Sequence, residues 1–328
     1  MKKFIKVTLI VVGSLFICVT AFAVYQFSQW DLSLFKQEWN ETDGTVLANL
    51  SYGTAERNKF DLYLPAGIDK KRDNGIILFV HGGSWNSGRK EDMAWACKRY
   101  AKEGYITATM NYTLVGENSK GSIKGMDREI KASVDALRHT ADSLGVNVGK
   151  MAIGGYSAGG HLAMLYAFTH RHDSAIPLAF CISYVGPSDM NFLFPVNSGI
   201  IDKANQELQT GVKGETCKAI DGMIYSMTGE LGETKEYKAE EMDSILRSIS
   251  PITYISDGAL PAVFAYGVKD QLVRIPHADS LEARYQRHGG TFEMIRFPNS
   301  GHELGRDSEC VERLNKTVSD FAKKYFGY

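Results

Sequence analysis

Only five cysteines and eight prolines occur in 328 residues, and no lysine-rich tract, internal repeat or flexible interdomain linker interrupts the chain. The scarcity of cysteine excludes a disulfide scaffold. Cys18 lies in an apolar stretch, and Cys97, Cys181, Cys217 and Cys310 are far apart with no C-x-x-C pair. Cys97 and Cys181, flanked by apolar residues, read as buried thiols, whereas Cys217 and Cys310 stay open to pairing in an exported chain. The lack of a basic excess (37 basic against 38 acidic residues) excludes a nucleic-acid footprint. With 44% hydrophobic and 23% charged residues the chain is neither disordered, collagenous nor coiled-coil. A chain this long buries roughly 75% of its unfolded surface, so folding requires no metal.

Charge is also missing from Val7 to Tyr25, a run preceded by Lys2, Lys3 and Lys6. Its length suits a helix crossing hydrocarbon, with the N-terminus inside and the body outside. Ala21-Phe22-Ala23 is similar to a signal-peptidase site, so residues 1–30 read as a single-pass signal-anchor or a cleaved signal peptide. Both readings place the body outside the cytoplasm, on the extracellular face of the membrane or secreted, with membrane contact through residues 7–25 if uncleaved. Residues 31–45 read as a linker or cover.

From residue 46 to 328 the pattern alternates short β-branched or aromatic runs with longer helical periods, which predicts an α/β domain with a mostly parallel sheet covered on both faces. Strands are expected at Val46–Tyr52, Lys59–Leu64, Ile76–Val80, Ile106–Met110, Met151–Gly154, Leu178–Tyr184, Ala262–Tyr266 and Thr291–Phe297. Helices are expected at Glu91–Lys102, Asp127–Leu144, Gly159–Phe168, Pro276–His288 and Ser308–Tyr325. Residues 187–250 break the rhythm and read as an insertion, either a lid beyond a strand end or a surface excursion.

Chemistry concentrates at two glycine-rich turns. Gly155-x-Ser157-x-Gly159 lies between a strand and a helix, the spacing of a nucleophile elbow. A serine hydroxyl needs such exposure and a nearby base, and the helix N-terminus behind it favours developing negative charge. His81-Gly82-Gly83-Ser84-Trp85 follows the most apolar strand and can offer backbone amides to an oxyanion. This nominates the N–H groups of Gly83, Ser84 and Ala158, with His81 and Gly82 supporting the loop. Trp85, Tyr156, Tyr112, Phe192 and Phe194 are candidates to line an apolar mouth, or are structural.

Of the histidines after Ser157, His161 lies along the same helix, His170 and His172 read as surface residues, and His277 and His288 belong to a later helix. Only His302 directly follows a strand, so it is the expected base. Asp270, in the short loop after Ala262–Tyr266, is the preferred acid over Asp189, and Glu303 is expected to face solvent. His170, His172 and Asp173 do not make a metal site. No cofactor is expected.

These motifs, in the order Ser157, Asp270, His302, resemble the α/β-hydrolase superfamily, specifically the carboxylesterase branch with hormone-sensitive-lipase-like and bacterial feruloyl-esterase-like enzymes. Gly-Tyr-Ser-Ala-Gly-Gly-His-Leu-Ala at 155–163 is similar to that branch more than to prolyl-oligopeptidase relatives. The His-Gly-Gly-x-Trp run at 81–85 is similar to its oxyanion loop, with Ser84 where glycine is commonest. The resemblance covers residues 46–326, apart from much of 187–250. It implies a serine hydrolase acting on carboxylic esters, of short acyl chains or acylated carbohydrates, without metal or cofactor. An amidase or peptidase with the same triad, or a non-catalytic surface binding protein on the scaffold, are the alternatives.

Overall fold

The computed structural model describes residues 37–116, 119–194, 198–211, 213–230 and 236–327. The expected membrane segment, 7–25, lies outside them. Among the described residues no helix is long and apolar enough to cross a membrane. The assignment to a single-pass anchor at an extracellular membrane face is therefore corrected: no membrane-crossing helix stands among the described residues.

One eight-stranded sheet organises the domain: β1 (Gly44–Ser51), β2 (Lys59–Pro65), β3 (Asn74–Val80), β4 (Ile106–Met110), β5 (Val148–Tyr156), β6 (Leu178–Tyr184), β7 (Ala262–Gly267) and β8 (Phe292–Phe297). The spatial order is β1-β2-β4-β3-β5-β6-β7-β8. β1 and β2 pair antiparallel with their neighbours, and β4 through β8 are parallel. This is the mostly parallel, helix-covered sheet expected of an α/β-hydrolase fold. Alternation along β3 explains its two cores. Ile76, Leu78 and Val80 join one cluster with helix α2 (Ile123–Ser143), while Ile77 and Phe79 join the other with α1 (Ala94–Lys102) and α8 (Ser308–Phe326). Each large side chain buried this way contributes about 1.5–3 kcal/mol.

Elements differ from expectation mainly at their ends. β5 extends on both sides of Met151–Gly154, reaching the turn that carries Ser157. α2 starts four residues early because the Ser122 hydroxyl accepts the Gly125 amide and caps it. Among the described residues of 187–250 stand three α-helices: α4 (Ser198–Gln209), α5 (Glu215–Thr228) and α6 (Ala239–Ser248). They share a small core in which Ile201, Ala204, Cys217, Ile220, Tyr237 and Met242 pack together. Cys217 is a buried free thiol donating to the Ala204 carbonyl, and Cys310 is also free, so these two do not pair.

The sheet order reverses between β3 and β5: β4 lies beyond β3 on one side, and β6, β7 and β8 follow β5 on the other. Loops at the strand ends of such a switch point open a crevice. The glycine-rich loop leaves β3 there, and the Ser157 turn leaves β5.

Candidate active site

Ser157 occupies the turn between β5 and α3 (Ala158–Thr169) with φ +54° and ψ −121°, a strained conformation that aims its side chain out of the chain path. The residues two positions away on either side, Gly155 and Gly159, must be glycine. A Cβ on Gly159 would stand 2.0 Å from the Val80 carbonyl oxygen, and one on Gly155 would stand 2.3 Å from the Gly159 oxygen. These contacts press the first turn of α3 against the end of β3. α3 is buried almost throughout, so the turn is fixed from below.

The loop after β3 is equally constrained. Gly83 (φ +110°), Ser84 (φ +51°) and Trp85 (φ +61°) follow one another in left-handed backbone, and a Cβ on Gly83 would stand 2.3 Å from the Ser87 oxygen. The Gly83 carbonyl accepts from the amides of Asn86 and Ser87 and the Ser87 hydroxyl. A Cβ on Gly82 would lie 3.3 Å from Ser157 Cβ, so the loop runs against the serine. The amides of Gly83, Ser84 and Ala158 have no acceptor among the described residues.

His81 braces this loop. Its Nδ1 donates to the Gly82 carbonyl at 2.7 Å, its ring stacks on Tyr112 at 4.2 Å, and Arg57 Nη2 lies 3.5 Å from Nε2. Burial pushes its pKa down to about 4, and the Arg57 charge adds to that, so the imidazole is neutral. Arg57 also donates to the carbonyls of Tyr112 and Gly88. Tyr112 is fully buried and its hydroxyl donates to the His81 carbonyl, so it underpins the loop and does not line a mouth. Trp85 Nε1 donates to His161 Nδ1 at 3.2 Å, and His161 Nε2 donates to the Ile249 carbonyl. This series of contacts joins the loop, α3 and Ile249 just after α6. No sequence pattern announces the role of Arg57 or the Trp85–His161 link.

The loops after β7 and β8 bring the remaining groups together. His302 Nε2 is 2.8 Å from Ser157 Oγ, and His302 Nδ1 is 2.7 Å from Asp270 Oδ2. A carboxylate only accepts, so the Nδ1 proton faces Asp270 and Nε2 is left to accept from the serine. Asp270 is 2% exposed and His302 5%. The other carboxylate oxygen of Asp270 accepts from the amides of Leu272 and Val273. The two loops are zipped by Lys269 N–H to the Ser300 carbonyl and by close approach of Gly267 to Gly301. Tyr156 donates its hydroxyl to the His302 carbonyl, and its ring meets the imidazole edge-on.

Of the remaining positions, Asp189 and His172 lie as expected and Glu303 does not. Asp189 Oδ1 accepts from Asn191 and does not reach His302. Glu303 is not solvent-facing: it is 3% exposed, with Oε1 accepting from Gly301 N–H and pairing with Arg306, while Oε2 is buried. Its burial comes from the tight loop between Ser300 and Asp307, where Asp307 accepts from Asn299 and Ser300. Phe192 is exposed and packs edge-on against buried His277. His170 bridges Asp173 and Asp127, and His172 is exposed.

Known proteins agree with this architecture. A probable isoprenylcysteine alpha-carbonyl methylesterase of Oryza sativa is 31% identical over 118 residues, 36% of this chain and 27% of that protein. A kynurenine formamidase of Danio rerio is 25% identical over 124 residues, 38% of this chain and 39% of that protein. The chain thus aligns with well under half the length of these curated relatives. A truncated carbohydrate esterase from gut microbiota superposes with a TM-score of 0.66 at 19% identity, covering 89% of this chain and all of that one, and so shares the fold. The BD-FAE family pattern matches residues 60–285, from β2 to α7 (Pro276–Arg287), taking in the β3 loop, the Ser157 turn and Asp270. By that match the chain belongs to the BD-FAE family, in the carboxylesterase branch of the α/β-hydrolases.

Proposed function

We propose that this protein is a serine carboxylesterase that hydrolyses carboxylic esters of short acyl chains or acylated carbohydrates through an acyl-serine intermediate. The observation that carries the reading is the hydrogen-bonded series Ser157 Oγ, His302, Asp270 beside unengaged loop amides. His302 Nε2 takes the serine proton as Oγ attacks the carbonyl, and Asp270 holds the imidazole in the required tautomer. The amides of Gly83, Ser84 and Ala158 receive the oxygen that becomes negative. His302 then protonates the departing alcohol, and water activated by the same nitrogen clears the acyl group. Trp85 flanks the acyl position, while buried Tyr156 supports the His302 loop from behind.

Purified Ser157→Ala tested on p-nitrophenyl acetate checks the reading. We expect folded protein whose turnover falls by at least about 10³-fold. Undiminished turnover would remove the mechanism, and a wild-type chain inert to a panel of acetyl, butyryl and feruloyl esters would favour the non-catalytic binding reading. The formamidase among the relatives supports a second reading, amide cleavage by the same groups. Matched ester and amide substrates separate the two, because the amine is the poorer leaving group.

A further inference from the structure

A cavity of about 400 Å³ opens where α7, the end of α6 and the loop after β6 meet. It has the size of a small-ligand site. Three guanidinium groups line it, from Arg247, Arg284 and Arg287, against the one carboxylate of Asp189. Two of the three are anchored at Nε: Arg247 donates to Asp243 Oδ2 at 2.6 Å and Arg284 to the Ile255 carbonyl at 3.1 Å. Their terminal Nη groups have no acceptor among the described residues, and Arg287 forms no hydrogen bond or ion pair with any of them. Asp189 offsets part of this charge: its Oδ1 accepts from the Asn191 amides while its charge acts on Arg247, which is also paired with Asp243, so Arg284 and Arg287 leave the lining with a net positive charge. The hydroxyl-bearing Thr253 and Ser280 also line the wall.

The lining keeps an excess of positive charge, and pinning Nε of Arg247 and Arg284 holds their remaining N–H forks in place. Such forks match the paired oxygens of a carboxylate or phosphate, and hydroxyls suit a polyol beside it. We propose that this cavity is a second binding site, separate from Ser157, for an oxyanion: the carboxylate of an acidic sugar or a phosphate. The site does not depend on ester chemistry.

Calorimetric titration of the full chain at low ionic strength with inorganic phosphate, sodium glucuronate and neutral glucose tests it. At least one anion should bind while glucose does not, and the phosphate and glucuronate arms identify the source. Arg287→Gln, at an exposed residue without a hydrogen-bond or ion-pair partner among the described residues, should weaken binding about tenfold. Its turnover of p-nitrophenyl acetate should stay unchanged, so failure here is distinct from failure of the esterase reading. No anion binding up to about 10 mM, equal binding of glucose, or binding indifferent to Arg287→Gln would overturn the proposal.

Discussion

Asp270 holds His302 with one carboxylate oxygen, Oδ2 to Nδ1 at 2.7 Å, while its other oxygen is fixed by the amides of Leu272 and Val273. The acid is therefore held by backbone amides independently of its contact with the histidine. Asp270→Asn keeps the shape but can offer an N–H where an acceptor is needed, which favours the wrong tautomer. Steady-state kinetics on a short-chain ester should show kcat lowered by about 10³–10⁴-fold with a small change in KM. A loss under about tenfold would mean that the contact does not serve turnover.

Gly159 and Gly222 predict opposite outcomes for the same substitution. Gly159→Ala drives a methyl group against the Val80 carbonyl, backbone against backbone, and should cost more than about 3 kcal/mol in urea unfolding. Gly222→Ala, in the interior of α5 with nothing within 4 Å, should raise stability by about 0.5–1 kcal/mol. Equal effects would contradict the packing of α3 on β3.

Glu303 should matter through the loop that presents His302. Glu303→Ala loses the acceptor for Gly301 N–H and should lower kcat/KM about tenfold and stability by about 1–3 kcal/mol. Glu303→Gln keeps an acceptor there and should restore most of both. Wild-type kinetics in Glu303→Ala would show that the buried carboxylate leaves His302 unaffected.

Acid should destabilise the fold through buried imidazoles. Burial lowers the pKa of His81, His161 and His277 to about 4 each, against about 6.5 when unfolded. Between those values the unfolded chain binds protons that the folded chain refuses. Unfolding free energy should thus fall as pH drops from about 7 to 4, by up to about 1.4 kcal/mol per pH unit for each histidine. His170 has the opposite sign. Its hydrogen bond to Asp127 raises its pKa, so its contribution is present at low pH and lost as pH rises through the folded value. Urea midpoints across this range check the net slope, and a flat profile would contradict neutral burial of the three.

Ser157, the glycine loop and the β7 and β8 loops were legible because each combines a local motif with a strand end, and parallel strands deliver their ends to one rim. Arg57 under His81 was not, since the two are distant in sequence and nothing local couples them. The burial of Glu303 is not legible in the sequence because it depends on how Ser300 to Asp307 folds back, a tertiary event. The helices of 187–250 were obscured because they pack on one another, with Cys217 and Tyr237 at their centre.

The most direct measurement is fluorophosphonate labelling followed by peptide mapping. Wild-type protein should carry one adduct, on Ser157, absent in Ser157→Ala and formed at least about 100-fold more slowly in His302→Ala. An adduct on another serine, or labelling of Ser157 at an unchanged rate without His302, would contradict the account.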